Sequence, residues 1–321
     1  MRRGERGYAP SAGYLAELLA RMPELSDPSL PAIELVEFAP LLDSADMVPS
    51  DWSRIAAEIA RRYEEVDGVV VLHGTDTMAF TASALSFMLE GLAKPVIVTG
   101  SQVPLAELRS DARENLIASL QIAAMPGLHE VCVYFSGRLL RGNRATKVSA
   151  SGFDAFDSPN EAPLATVGVE VELRQGAARP ALPGRLSVRE LRDVTVAAVR
   201  LFPGVSARFM AHVLQAPLEG LVLETYGAGN APTRDPRLLD ELAAAATRGV
   251  VVVNTTQCLR GRVDMRGYAT GRALAEAGVT GGADMTPEAA LTKLIYLLGS
   301  GMTPDAARAA MARDLRGELT E

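Results

Sequence analysis

The chain has 321 residues, 48% of them apolar and 22% charged, with a net charge of −7. That length holds two cores, and an acidic balance with scattered Lys and Arg excludes a nucleic-acid surface. No apolar run approaches the roughly 18 residues of a membrane span, and MRRGERGYAP has no apolar core behind it, so it does not read as a signal peptide. Cys132 and Cys258 stand far apart, as reduced thiols of a cytoplasmic protein do. His73, His129 and His212 lack metal-ligand spacing, so no metal is expected.

In chain order, a polar leading segment carries one aromatic, Tyr8, and gives way to a helical pattern over 14–22. A tyrosine in such a segment can close over a ligand or pack its ring at a loop base. Residues 32–38 predict a strand, followed by a loop holding Asp43 and Ser44; small polar side chains there suit a ligand site or a plain Asx turn. A helix over 50–63 leads to VVVL at 69–72, the composition of a fully buried strand. His73-Gly74 breaks that run, and Thr75-Asp76 stands before good helix formers. A strand ending in a Gly turn that opens a helix places polar groups at the carboxyl edge of a sheet, where α/β enzymes keep their sites. Thr75 and Asp76 are therefore candidates for chemistry, with helix capping as the alternative.

VIV at 96–98 predicts a second buried strand, ending in a polar cluster that includes Ser101. A helix from Asp111 and a strand over 131–135 continue the strand–helix alternation, the pattern of a doubly wound parallel sheet. RLLRGNRATK at 138–147 breaks it: Gly142-Asn143 is a turn signal, and Lys147 is either a surface lysine or, if buried near Asp76, one poised for proton transfer. GAARPALPG at 176–184 is the best linker in the chain. The expected organisation is an N-terminal domain over 1–175, a linker over 176–190, and a smaller α/β domain over 191–321. In the second part, YGAGNAP lacks the spacing of a dinucleotide fingerprint, Gly281-Gly282 reads as a flexible turn, and there is no G-x-S-x-G elbow. No cofactor is expected.

At HGTDTM the chain resembles the bacterial type I, cytosolic L-asparaginases, and the other clusters extend the likeness. The matching runs are LLDSADM at 41–47, DGVVVLHGTDTMAFTASALSFMLEGLAKPVIVTGSQVPLAELRSD at 67–111, RGNRATK at 141–147, GFDAF at 152–156, YGAGNAP at 226–232, VVVNTTQC at 251–258, GYATG at 267–271 and GGADMTPEAALTKLIYLL at 281–298. The resemblance implies hydrolysis of L-asparagine to L-aspartate and ammonia without metal or cofactor. Thr75, Asp76 and Lys147 match a triad that supports proton transfer. Asp43 and Ser44 match positions binding the substrate's α-amino and α-carboxyl groups, Ser101 the strand end near the oxyanion, and Tyr8 a tyrosine of the closing loop. Asn230 matches a residue supplied across a dimer interface, which implies a homodimer or homotetramer. Thr146 matches part of a second, allosteric site, but Glu224 stands where related chains carry a basic residue; that reversal would repel an effector carboxylate.

The family's TGGTIG strand, with its nucleophilic threonine, belongs directly before Met1, and the expectation is a start placed late or truncated. Two alternatives differ in class: a catalytically dead relative that binds asparagine, or a related amidohydrolase such as the glutaminase-type amidotransferase subunit. Extending the chain N-terminally with that strand and its threonine is expected to raise ammonia release from asparagine by several orders of magnitude, on the usual cost of a lost nucleophile. Equal rates in the two forms would mean that Thr75 suffices.

Overall fold

Three of the β-branched apolar runs become the parallel half of one sheet: β1 (Val69–Leu72), β2 (Val96–Thr99) and β3 (Val131–Phe135). The computed structural model describes residues 2–4, 7–181 and 184–320. It divides into two units, Met1–Ser158 with Ala162–Val188, and Pro159–Glu161 with Arg189–Glu321.

In the first unit, β4 (Arg138–Arg141) turns back antiparallel on β3, and β5 (Ala165–Val167) and β6 (Val171–Leu173) extend the sheet to six strands in the order β6-β5-β4-β3-β2-β1. The sheet is thus mixed, parallel at one side only. Helices α1 (Pro49–Arg62), α2 (Met78–Met88) and α3 (Ala112–Ala123) accompany it. One face of the sheet closes over Ile97, Ile122, Leu128, Cys132, Tyr134 and Leu139. Each such side chain contributes about 1.5–3 kcal/mol on burial.

Two strand expectations are corrected. VVVL is not fully buried: β1 is the sheet's edge, and Leu72 is 39% exposed, whereas β2 is buried throughout. Residues 32–38 enter no sheet among the described residues, and Ile33, Leu35 and Val36 are exposed. Alternating apolar residues favour extended backbone, but a strand exists only through a ladder with a neighbour.

The turn signal at Gly142-Asn143 marks a turn, but not the hairpin reversal. The reversal falls at Ser136-Gly137, whose φ values of 49° and 77° are both left-handed, the geometry of a tight hairpin. Gly142–Arg144 is instead a buried 3-10 turn against α2. A Cβ on Gly142 would stand 3.1 Å from the Ala82 carbonyl and 2.8 Å from that of Val131, so only glycine permits this approach. Helix α2 is rich in Ala and Ser and buries ten of its eleven residues, as a helix enclosed on all sides does.

The stretch after 175 lies on the first unit. Arg141 Nε pairs with Glu130 Oε2 at 2.6 Å inside the protein, Arg141 Nη2 donates to the Ala177 carbonyl, and Glu130 accepts the Arg179 amide. Residues Ser187–Val188 then pair with Leu89–Glu90.

The second unit is a parallel sheet of β7 (Val196–Arg200), β8 (Gly220–Thr225), β9 (Val251–Thr256) and β10 (Thr280–Gly281), in that order. Helices α4 (Ala207–Val213), α5 (Pro236–Thr247), α6 (Ala269–Glu276), α7 (Pro287–Gly299) and α8 (Pro304–Met311) complete it. Gly281-Gly282 is a packed strand end rather than a flexible turn: Cβ atoms there would meet Met265 at 2.8 Å and the Asn254 carbonyl at 2.9 Å. No helix among the described residues is long and apolar enough to cross a membrane.

Candidate active site

The site is assembled where β1 and β2 end. The His73 amide donates to the Thr99 carbonyl at 2.8 Å, carrying the β1–β2 ladder one residue past the strand. A Cβ on Gly100 would lie 2.1 Å from the His73 carbonyl oxygen, and one on Gly74 would lie 2.3 Å from Ser44 Oγ. Neither position tolerates a side chain, and the two glycines let three loops converge: 43–44, 73–77 and 100–102. Thr77 Oγ1 donates to the Ser44 carbonyl at 2.7 Å and ties the first two together.

Thr75 and Asp76 do not cap the helix. The residue before α2 is Thr77, whose side chain makes no capping bond. Thr75 and Asp76 instead meet Lys147, whose Nζ donates to Thr75 Oγ1 at 2.9 Å and to Asp76 Oδ1 at 2.8 Å. The ammonium side is the better enclosed: the Lys147 side chain is 21% exposed, that of Asp76 69%. Lys147 reaches the site from a two-residue strand, Thr146–Lys147, paired antiparallel with Phe156–Asp157. Arg138 anchors that pair by donating to the Phe156 carbonyl at 2.8 Å and to Asp157 Oδ1 at 3.1 Å.

The other expected residues fall as follows. Ser44 is buried against Gly74, and Asp43 Oδ1 accepts the Ala45 amide at 3.1 Å, so the Asx turn is present alongside any role in binding. Ser101 is half-buried directly after Gly100. Tyr8 is exposed on the strand Gly7–Ala9, paired with Arg2–Gly4. Thr146 is buried beside Lys147. Asn230 belongs to the second unit, where its Oδ1 accepts Thr270 Oγ1 at 2.5 Å. Glu224, in the same unit, pairs with Arg200 at 3.1 Å.

Sequence reasoning passed over two members. Gln102 Oε1 accepts the Thr75 hydroxyl at 3.2 Å; its sequence signal is its place in the polar cluster at 99–102, three residues after the end of β2. His73 braces the turn. Its Nδ1 lies 2.6 Å from the Gly74 carbonyl, and Nε2 lies 2.8 Å from Thr81 Oγ1. A carbonyl only accepts, so Nδ1 carries the proton; burial disfavours a second one on the ring, which leaves Nε2 to accept from the threonine. Burial holds the His73 ring below its ordinary titration range.

Comparison with known proteins places these features. The profile of the family described as "Asparaginase, N-terminal" matches residues 1–179, and that of "Glutaminase/Asparaginase C-terminal domain" matches residues 195–311. The chain belongs to the asparaginase family. It is 52% identical over 320 residues to L-asparaginase 1 of Escherichia coli (strain K12), covering 100% of this chain and 94% of that one. It is 49% identical over 288 residues to the 60 kDa lysophospholipase of Mus musculus, covering 89% of this chain and 51% of that protein. The crystal structure of L-asparaginase I from Vibrio cholerae superposes with a TM-score of 0.93 at 47% identity, covering 100% of this chain and 95% of that one.

The neutral His73 generates a stability prediction for this asparaginase-family chain. Its unfolded state takes up a proton below about pH 6.5 that the folded ring resists, so stability falls as pH drops through that value. His73→Gln is expected to lose that part of the slope. Thermal unfolding followed from pH 7.5 to 5 checks it, and identical slopes in the two proteins would show that His73 is not held neutral.

Proposed function

We propose that the chain is an L-asparaginase, hydrolysing the side-chain amide of L-asparagine to L-aspartate and ammonia. The observation that carries this reading is the contact of Lys147 with both Thr75 and Asp76, in a chain 52% identical over its length to an L-asparaginase.

A threonine hydroxyl or a water attacks an amide carbon only when a base takes its proton. Lys147 Nζ stands 2.9 Å from Thr75 Oγ1 and serves as the base in its uncharged form; Asp76 orients the amine and balances the charge that forms. Where a threonine attacks, the carbonyl carbon bonds to its hydroxyl oxygen, the C–N bond breaks, and the nitrogen leaves as ammonia with the proton returned by Lys147. Water then adds to the ester, the bond from carbon to the threonine oxygen breaks, and aspartate and the free hydroxyl are released. Where water attacks directly, its own oxygen becomes the second carboxylate oxygen as the C–N bond breaks. Donors near Ser101 serve the developing oxyanion. Asp43 receives the substrate's α-amino group and Ser44 its α-carboxylate, while Tyr8 covers the site.

Catalysis belongs to the N-terminal domain, 1–175, joined through 176–190 to a C-terminal domain, 191–321. Asn230 acts across the interface of a homo-oligomer that is at least a dimer. The setting is cytoplasmic, which two thiols not paired with each other support.

Lys147→Met, made in this chain and in its N-terminally extended form, is expected to lower ammonia release by about 10³-fold, within the usual range for losing a general base. Circular dichroism and melting temperature should stay unchanged. Turnover that survives in a folded Lys147→Met protein would overturn the assigned proton path.

A further inference from the structure

Thr75 Oγ1 has two polar neighbours, and the direction of each hydrogen bond is fixed by its surroundings. Lys147 Nζ sits at 2.9 Å and Gln102 Oε1 at 3.2 Å. The far side of the Gln102 amide faces the Gly152 carbonyl, with Nε2 at 3.0 Å. A carbonyl cannot donate, so the NH₂ group must point to Gly152 and the Oε1 atom to Thr75, whichever way an amide might otherwise flip. With its one proton given to Gln102, the Thr75 hydroxyl can offer Lys147 only a lone pair. Lys147 is thereby made the donor.

The amide is also held against movement. Asp111 accepts the backbone amides of Gln102 and Val103 with its two carboxylate oxygens, each at 3.0 Å. Four residues on, buried Asn115 donates to the Gly100 carbonyl at 2.9 Å. The first turn of α3 therefore fixes loop 100–103. On the opposite side, Ser149 Oγ accepts the Gly152 amide at 2.8 Å, two residues past Lys147. A Cβ on Gly152 would come within 2.8 Å of Asp154 Oδ1 and 3.0 Å of Ser149 Oγ, so the position that presents the carbonyl is itself constrained.

We propose that Gln102 is a positioning residue for the Thr75 hydroxyl: oriented by the Gly152 carbonyl and clamped by Asp111, it sets which way the Thr75–Lys147 hydrogen bond runs. In the resting site Lys147 is the donor, and the bond reverses only when Thr75 turns its proton from Gln102 to an uncharged Lys147 amine. The functional consequence rests on the asparaginase reading above; the hydrogen-bond direction does not.

The chain contains three lysines, Lys94, Lys147 and Lys293, so lysine labelled with ¹³C at Cε gives three signals, and Lys147→Met assigns the one that matters. In Gln102→Leu the hydroxyl is free to donate to the amine, which favours the uncharged form, so the Lys147 signal titrates at lower pH than in the parent. In Gln102→Met, close in shape but without the amide acceptor, the signal moves in the same downward direction. The Lys94 and Lys293 signals staying in place report that each variant is folded; if Gln102→Leu does not fold, Gln102→Met decides alone. Where the chain turns over asparagine, Gln102→Leu lowers kcat roughly tenfold and changes KM less than twofold, the signature of lost orientation rather than lost binding. An unmoved Lys147 titration in a folded variant overturns the proposal, whether or not the parent is active. Absence of ammonia release by the N-terminally extended chain, with the Lys147 titration moving as described, would count against the asparaginase reading alone.

Discussion

Everything in this site depends on one contact made across 72 positions of the chain, between Lys147 Nζ and Thr75 Oγ1. Neither residue is placed by its own neighbours in sequence. Thr75 is set by the end of β1 and the start of α2. Lys147 is set by a hairpin, a 3-10 turn packed on α2, and the Phe156–Asp157 strand that Arg138 secures. Phe156 is fully buried, its ring centroid 5.0 Å from that of Phe135 on β3, so the lysine's support is part of the core. A lysine carries several rotatable bonds and loses up to about 2 kcal/mol of side-chain entropy when held in one place. Two short hydrogen bonds to Thr75 and Asp76 offset that loss and keep the amine where a proton can be exchanged.

Glycine does much of the positioning, by absence rather than contact. At Gly74, Gly100 and Gly142 an added methyl would overlap Ser44, His73 or the Val131 carbonyl at 2.1 to 2.8 Å, separations that real Cβ atoms do not adopt. These glycines are kept for close approach and not for left-handed backbone, since none of the three has a positive φ. The reversal that aims the chain toward Lys147 uses the other property of glycine, at Ser136-Gly137.

Much of this was legible in the sequence, for physical reasons that also explain what was not. Local features survive the fold: VVVL before His-Gly announced a strand end, Thr75 and Asp76 announced polar groups there, and the helical patterns of α2, α3 and α7 are present. Whether Thr75 capped a helix or faced a partner turned on Lys147, and spacing along a chain cannot place a residue 72 positions away. Family resemblance supplied that pairing, and the coordinates give it a distance. Residues 32–38 show the opposite failure, since their β pattern is real but a strand needs a partner. Gln102 was marked only as one of the polar cluster at 99–102, because an uncharged amide after a strand end looks like any loop residue until its two neighbours are known.

The central claim is that the Lys147–Thr75–Asp76 cluster is where the side-chain amide of asparagine is cut. The most direct test is a crystal structure of Thr75→Val soaked with L-asparagine. The account predicts the side-chain amide carbon beside residue 75, within roughly 3.5 Å as for a near-attack geometry, with the α-amino and α-carboxylate groups on Asp43 and Ser44. Asparagine bound elsewhere, or bound with its amide at Asp43 and its α-carbon at Lys147, would contradict it.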